Sequence, residues 1–149
     1  MKRILFASFL TLGLLTSGCG GGASDSPAPT PAPVGPPALQ TTDTVVGAGA
    51  AAVVGMTVTV NYTGWLYNAS AANFRGAQVD TSVGKAPFSF KLGAGQVIQG
   101  WDLGVAGMKV GGSRTLLIPS ALAYGSAGAG ASIPPNTALV FNVDLLAVK

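Results

Sequence analysis

The segment from Val97 to Gly125, VIQGWDLGVAGMKVGGSRTLLIPSALAYG, constrains the fold more than any other part of the chain, because a helical pattern passes directly into a strand pattern. Its apolar side chains recur at helical spacing, which predicts a short helix with one apolar face lying on a sheet. They are Val97, Trp101, Val105 and Met108. The prominent side chains of the segment are aromatic and aliphatic, so it predicts a pocket that binds rather than one that attacks a substrate.

The second half of this segment is punctuated by residues that end regular structure. Gly111 and Gly112 are expected to stop the helix, and Ser113 to Ile118 is predicted to be a strand. Pro119 has no N–H to donate and therefore ends the ladder, and Tyr124 follows on a loop.

The remainder of the folded part reads as strands with alternating polarity. We expect a first strand near Thr42 to Val46, a second from Met56 to Leu66, and a last one from Ala138 to Val148. In the second strand Val58, Val60 and Tyr62 are predicted to face inward, and in the last strand Leu139, Phe141, Val143 and Leu145 share one face. These periods predict an α+β architecture, in which an antiparallel sheet wraps around one short helix.

Composition excludes several classes of function. The 149 residues, 48% of them hydrophobic, suit one domain with a single core. The net charge of +3 comes from 8 basic and 5 acidic residues, and it falls to +1 without Lys2 and Arg3, which argues against a nucleic-acid partner. With one cysteine and no histidine or glutamate, the usual zinc sites and the Ser-His-Asp and Cys-His catalytic sets are excluded. No metal and no cofactor is expected.

The N-terminus has the features of an export signal. A basic start precedes an apolar run from Ile4 to Leu15, and small residues lead to Cys19, so residues 1–18 are predicted to be a signal peptide too short to span a bilayer. The small residues before Cys19 resemble a bacterial lipobox, which implies a diacylated cysteine and firm membrane anchoring. Thr16 departs from the usual leucine, and ordinary secretion is the alternative. Gly20, by the same resemblance, favours the outer membrane over the inner one.

A proline-rich segment follows the cysteine. Six of the ten prolines fall between Gly20 and Leu39 among Gly, Ala, Ser and Thr, a composition that buries too little apolar surface to fold. Residues 19–39 are therefore predicted to be a tether, extending about 3 Å per residue and placing the domain roughly 50 to 60 Å from the membrane. The folded domain is predicted at residues 40–149.

Several motifs of this chain resemble, in order, those of the FKBP family of peptidyl-prolyl cis/trans isomerases. They are the pairs and triplets VI, GW, GM, VG, IP and AYG of the first segment, VNYTGWL from Val60 to Leu66, VDTS followed by PFSFKLGAGQVI, and IPPNTALVFNVDLL from Ile133 to Leu146. The resemblance covers about Thr44 to Lys149. It implies the family's fold and an isomerase acting on Xaa-Pro bonds.

The resemblance also implies a set of site residues. Trp101 would form the floor on which the proline ring stacks, Tyr124 would donate its hydroxyl to the substrate carbonyl, and the backbone N–H of Ile98 would donate another hydrogen bond. Asp80 would lie at the rim and orient a tyrosine. The walls would be Tyr62, Phe88, Val97, Ile98 and Phe141, with Ile133 covering the pocket. Without the resemblance, Tyr62 and Phe141 would be assigned to the core, and Asp80 to a solvated turn.

Two departures concern the walls of this pocket. Val79 stands where the family usually carries phenylalanine, which leaves one wall thinner unless Phe74 swings in to replace the missing ring. Asn68 to Gln78 is longer than the corresponding family segment and is predicted to be a loop insertion of unknown role.

Further departures concern the rim. The segment Val83 to Ala86 is one residue short and lacks the arginine that pairs with the family's aspartate, and Lys85 is the expected substitute as a point charge. Gln96 replaces a common glutamate. The flap from Ser126 to Ser132 contains almost only Gly, Ala and Ser, which leaves Ile133 alone to cover the pocket. These departures predict a slower or less selective isomerase.

The sequence therefore predicts a peptidyl-prolyl isomerase that assists the folding of bacterial envelope proteins. Its expected partners are proline-containing polypeptides, macrolide inhibitors such as rapamycin, and a lipid membrane through acylated Cys19, with the protein itself a monomer. The expected location is the outer membrane, facing the periplasm, with a secreted or periplasmic protein as the alternative. A non-catalytic proline-peptide binding or chaperone module is the main alternative function, and an inert envelope scaffold is a third.

Overall fold

The computed structural model describes residues 35–149, in which six antiparallel strands and one short helix surround a single core. The predicted signal peptide, Cys19 and the tether up to residue 34 lie outside the described residues. The strands are β1 (Gln40–Val45), β2 (Thr57–Tyr67), β3 (Arg75–Thr81), β4 (Phe88–Lys91), β5 (Ser113–Ile118) and β6 (Leu139–Val148), and the helix α1 spans Gln99–Gly104. The predicted fold is confirmed. Within the described residues, no helix is long and apolar enough to span a membrane.

The strand order explains how one sheet makes a concave surface. The order is β1-β5-β6-β2-β3, and β4 pairs with β2 as well. β3 and β4 share one edge of β2, since β4 pairs along residues 57–60 and β3 along residues 63–67. The chain between them, residues 82–87, links the two strands, and its first residue, Ser82, is hydrogen-bonded to Tyr62 of β2.

Alternation along β2 and β6 builds the core. Val58 and Val60 are fully buried, Tyr62 is half-buried, and Phe141 of β6 lies opposite Gly64 of β2. The predicted inward faces of these strands are those observed. The core includes Val58, Val60, Leu92, Val105, Met108, Leu116, Ile118, Leu139, Val143 and Leu145.

The helix lies unusually close to β5, because two of its six residues are glycine. A Cβ at Gly100 would lie 2.3 Å from Ile118 Cγ2, and one at Gly104 would lie 2.8 Å from Leu116 Cδ2. Carbon atoms in contact normally stay about 3.5 to 4.0 Å apart, so larger residues here would push the helix off the sheet. Because Trp101 is the neighbour of Gly100, this close approach also sets the distance between Trp101 and β5.

The helix is shorter than its hydrophobic spacing predicts. It ends at Gly104, the Val105 N–H donates to the Trp101 carbonyl at 2.9 Å, and a turn with Gly107 at φ +79° brings the Met108 N–H to the Val105 carbonyl. The expectation that Gly111 and Gly112 end the helix is therefore wrong. A turn carries Met108 back into the core, so helical spacing continues past the end of the helix.

The predicted loop insertion, Asn68 to Gln78, is a loop over residues 68–74, and its last four residues begin a strand. β2 continues to Tyr67 and β3 begins at Arg75, with Tyr67 opposite Arg75 and Trp65 opposite Gln78, so only residues 68–74 are outside the ladder. The Arg75 guanidinium lies 4.4 Å from the centre of the Trp65 ring, a cation–π contact that covers the outer face of this hairpin. Strand pairing and this contact explain why residues 75–78 are ordered as a strand rather than a loop.

Candidate active site

A cavity of about 270 Å³ opens between the helix, the hairpin edge of the sheet and the loops on either side. All nine side chains that the resemblance assigns to the site line it. They are Tyr62, Asp80, Phe88, Val97, Ile98, Trp101, Tyr124, Ile133 and Phe141. Val79 and Gln96, discussed above as departures, line it as well, and so does Gly95, which the sequence did not single out.

Trp101 lies at the base of the cavity and is surrounded by aromatic rings. Its ring centre is 5.1 Å from that of Tyr62 and 5.2 Å from that of Phe141, at interplanar angles of 81° and 87°, and Phe88 stands at 77° to it. Edge-to-face pairs of this kind contribute about 0.5 to 1.5 kcal/mol each beyond the area they bury. Trp101 is only 4% exposed. The indole is therefore held rigidly by rings that also wall the cavity.

A second ring behind the indole belongs to Phe90. Phe90 is buried, its centre is 5.6 Å from that of Trp101, and it stacks on Phe88. The sequence analysis missed this supporting role. The signal was the Phe88-Ser89-Phe90 alternation, which puts both phenylalanines on the inner face of β4.

The rim of the cavity is polar on one side. The Tyr62 hydroxyl donates to Asp80 Oδ2 at 2.6 Å, and the Thr81 N–H donates to Asp80 Oδ1 at 2.7 Å. Lys85 Nζ lies 3.9 Å from Asp80 Oδ1, and its side chain is 55% exposed. Lys85 thus occupies the position of a partner for Asp80, but an exposed pair at this distance contributes little, of the order of 0 to 1 kcal/mol.

Tyr124 faces the cavity from a loop between two short 3₁₀ turns, Ser120–Leu122 and Gly125–Ala127. Burial of its hydroxyl raises the pKa of Tyr124 above its usual value of 10.0, and the negative charge of Asp80 raises it further. Both effects disfavour the phenolate. The hydroxyl therefore keeps its proton throughout the neutral range and remains a hydrogen-bond donor.

The loop between β4 and α1 supplies another wall, through Val97 and Ile98. Ile98 is the residue before the helix, and its carbonyl accepts hydrogen bonds from the N–H groups of Trp101 and Asp102. The sequence analysis did not identify Asp102, whose carboxylate accepts hydrogen bonds from Gly93 and Gly95 in this loop. An aspartate seven residues after a glycine-rich turn carries no distinctive pattern, so only the structure finds this contact.

Phe74 does not replace the missing wall at Val79. Its ring stacks on Tyr67 with centres 5.4 Å apart and an interplanar angle of 12°, it is 42% exposed, and it does not line the cavity. The expectation that Phe74 could swing in is wrong for this structure, because strand pairing holds the base of the hairpin and aims Phe74 along β2. Val79 itself forms that wall.

The flap covers the cavity with one large side chain. Ile133 is 2% exposed and lines the cavity, and paired backbone hydrogen bonds join it to Ala129 at 2.9 and 3.2 Å. The small residues between them, Gly130 to Ser132, are exposed. Within the described residues, no three carboxylate or thiol groups lie close enough together to hold a metal ion. Because most of its walls are aromatic and aliphatic side chains, the cavity can take an apolar ring and the amide attached to it.

Comparison with known proteins agrees with this geometry. A family model described as FKBP-type peptidyl-prolyl cis-trans isomerase matches residues 49–146. An FK506-binding protein of Neisseria meningitidis serogroup A is 49% identical over 111 residues, which cover 74% of this chain and 95% of that protein. FK506-binding protein 4 of Dictyostelium discoideum is also 49% identical over 111 residues, but these cover only 28% of its length.

A solved structure, that of FkpA from Escherichia coli, superposes on this chain with a TM-score of 0.63 and 42% sequence identity. The match covers 74% of this chain and 48% of the other, so the chain spans about half the length of that protein.

Proposed function

Since this chain belongs to the FKBP-type peptidyl-prolyl cis-trans isomerases, we propose that the cavity over Trp101 rotates Xaa-Pro bonds of polypeptides by binding the twisted amide better than the planar one. The region from residue 49 to residue 146 is an isomerase domain of that family. The observation that carries the proposal is an aromatic box with one half-buried, protonated hydroxyl, that of Tyr124, at its edge.

The physical problem is the resonance of the amide. Rotation about a peptide bond meets a barrier of about 18 to 20 kcal/mol, and Xaa-Pro bonds exchange over tens to hundreds of seconds unaided. The twisted amide has lost resonance and is less dipolar than the planar form, so an apolar cavity that excludes water favours it. A barrier lowered by about 8 kcal/mol would correspond to an acceleration of roughly 10⁶-fold.

We assign roles to the side chains on this basis. The proline ring stacks on Trp101 between Tyr62, Phe88 and Phe141, whose rings are fixed by their mutual contacts. The Tyr124 hydroxyl donates to a substrate carbonyl, as the backbone N–H of Ile98 does on the other side of the cavity. Asp80 holds the Tyr62 hydroxyl at 2.6 Å and so keeps that wall in place.

The test is the cis-to-trans rate of a short Xaa-Pro peptide, measured with and without rapamycin at low temperature. We expect acceleration that rapamycin abolishes, and a large loss of turnover in Trp101→Leu and Phe141→Tyr with the fold intact. Unchanged rates in both variants would show that the active site lies elsewhere in the protein. A folded protein that binds proline peptides without accelerating the rotation would instead support the non-catalytic binding module.

We further propose that the substrates are proteins folding in a bacterial envelope and that macrolides bind the same cavity. Two relatives are named as FK506-binding proteins, and the chain begins with the basic and apolar pattern of an export signal. Refolding of a proline-limited protein should be faster with this isomerase, and addition of rapamycin should remove the effect. A refolding rate that this isomerase leaves unchanged would contradict the assignment to folding.

Anchoring through Cys19 is a proposal of the same kind, supported by the small residues that precede this cysteine. Two acyl chains would hold the protein firmly, whereas one gives only marginal binding. Expression of Cys19→Ser in a bacterium should move the protein from the membrane fraction to the soluble fraction. An unchanged distribution would show that the cysteine is not the anchor and would favour the secreted or periplasmic alternative.

A further inference from the structure

We propose that Asp102 is a positioning residue, which holds the loop wall of the cavity against the helix that carries its floor. This inference rests on the isomerase function proposed above. Asp102 does not line the cavity, so any effect it has on the site acts through its neighbours. Its carboxylate accepts two hydrogen bonds from the loop that contributes Gly95, Gln96, Val97 and Ile98 to the cavity lining.

The carboxylate receives two backbone hydrogen bonds from one turn. Gly93 N–H donates to Asp102 Oδ1 at 2.8 Å, and Gly95 N–H donates to Asp102 Oδ2 at 3.2 Å. Both glycines have positive φ, +77° and +67°, which turns their N–H groups to the same side. Hydrogen bonds to an ionised acceptor are roughly twice as strong as those between neutral groups. One side chain therefore ties down two points of the loop.

The turn is packed at Gly93 and open at Gly95. A Cβ built at Gly93 would lie 2.5 Å from Val54 Cγ1, whereas one at Gly95 would meet no heavy atom within 4 Å, and the Ala94 N–H reaches the Lys91 carbonyl only at 3.4 Å. The Gln96 side chain accepts a hydrogen bond from the Lys91 N–H at 2.8 Å, which ties the loop back to β4. Gln96 thus joins the loop to the sheet, and Asp102 joins it to the helix.

The other end of the contact is rigid. Asp102 directly follows Trp101 in α1, and α1 is pressed onto β5 where Gly100 and Gly104 allow close approach. Asp102 also lies in the first turn of the helix, where the N-terminal N–H groups favour a negative charge. The distance between the Trp101 floor and the Val97 wall is therefore set partly by one carboxylate.

The test compares the wild-type chain with Asp102→Asn and with a matched control, Asp144→Asn. Asparagine keeps the shape of the side chain and one acceptor oxygen, but it places an NH₂ group against the second backbone N–H. Asp144 accepts a hydrogen bond from Ser113 on the β5–β6 ladder and does not line the cavity, so its substitution removes the same charge and a comparable contact elsewhere.

We expect Asp102→Asn to lower kcat about tenfold, with KM within about a factor of two, because a mobile wall weakens binding of the twisted amide more than binding of the ground state. Amide hydrogen exchange at Gly93 and Gly95 should become faster while exchange in β6 stays slow. Asp144→Asn should keep the wild-type kcat.

Four results would decide against the proposals, and they are distinguishable. An active wild type with unchanged kcat in Asp102→Asn overturns the positioning role, and so does a loss of kcat that Asp144→Asn shares. Exchange that accelerates throughout the sheet also overturns it, because the role would then be one of general stability. A folded wild type without isomerase activity overturns the proposed function itself, whatever the loop does.

Discussion

Substitution of Gly64 by alanine should damage the site, although Gly64 itself does not line the cavity. Gly64 of β2 lies opposite Phe141 of β6, and a Cβ built there falls 2.4 Å from Phe141 Cε1 and 2.8 Å from Cδ1. Since carbon atoms in contact stay at least about 3.5 Å apart, the edge of the ring has to withdraw by about 1 Å. The core behind the ring is packed, so the cavity is the space into which the ring can move.

The substitution should cost little stability but much activity. Overpacking of this kind costs about 1 to 3 kcal/mol, and replacing a strand glycine by alanine returns about 0.5 to 1 kcal/mol, so the free energy of unfolding should fall by roughly 1 to 2 kcal/mol. Misplacement of a wall by 1 Å costs up to about 10²-fold in rate. We therefore expect kcat/KM to fall tenfold or more in a protein that is still folded.

The assay is the isomerisation rate of a short Xaa-Pro peptide, paired with urea unfolding of the same samples. Gly76→Ala is the matched control, because its Cβ would lie 2.8 Å from the Leu66 carbonyl oxygen, in the outer part of the β2–β3 hairpin. It should lose comparable stability and keep its activity. In a Phe141→Leu background, which lacks the Cε1 atom, Gly64→Ala should lose less stability than it does in the wild type.

The reasoning is refuted if Gly64→Ala retains the kcat/KM of the wild type. The ring would then have moved without closing the cavity, and the geometry of Phe141 would not limit turnover. An equal loss of activity in Gly76→Ala would refute it as well, since the loss would follow stability rather than the position of the wall.

Three further predictions follow from the polar groups. The raised pKa of Tyr124 keeps its hydroxyl protonated, so kcat/KM should stay flat from about pH 6 to 9, and Tyr124→Phe should lower kcat/KM by several fold. A decline of kcat/KM in that range which Tyr124→Phe abolishes would contradict the burial effect. The hydrogen bond from Arg114 lowers the pKa of Asp43, so the stability that this bond adds is present above pH 3.8 and is lost as the pH falls below that value. Asp43→Asn should remove this acid-dependent part of the free energy of unfolding, measured with urea, and an unchanged pH profile would contradict the prediction. Lys85→Ala should lower kcat/KM by less than about fivefold, because its ion pair with Asp80 is long and exposed, and a larger loss would give Lys85 a direct role.

Much of the site could be predicted from the sequence, because its residues lie in short motifs with strong local patterns. The strand from Ser113 to Ile118 has the bounds that were predicted, and the nine residues assigned by resemblance all line one cavity. Asp80 was expected to orient a tyrosine, and in the structure this tyrosine is Tyr62, whose hydroxyl donates to Asp80 at 2.6 Å. Side-chain type and local period alone would have assigned Tyr62 and Phe141 to the core, so it was the resemblance of the motifs that predicted the site.

The helix and the hairpin could not be predicted from the sequence to the same degree. Helical spacing continued to Met108 although the helix ends at Gly104, because a turn can return a residue to the same face of the core. The segment from Asn68 to Gln78 was predicted to be a loop insertion because it is longer than the corresponding family segment. Pairing with β2 extended the strand to Arg75, and it also pointed Phe74 away from the cavity.

The sequence by itself determined the apolar faces of the strands, because these depend on a periodicity of two residues along the chain, and its motifs identified the residues that line the cavity through their resemblance to a known family. Only the tertiary structure decided how close the layers come and what holds the loops. Gly100 packs against Ile118, and Gly64 packs against Phe141. Asp102 accepts hydrogen bonds from Gly93 and Gly95, and all these contacts join residues from different elements. Their geometry arises when the sheet curves around the helix, and no local pattern encodes it.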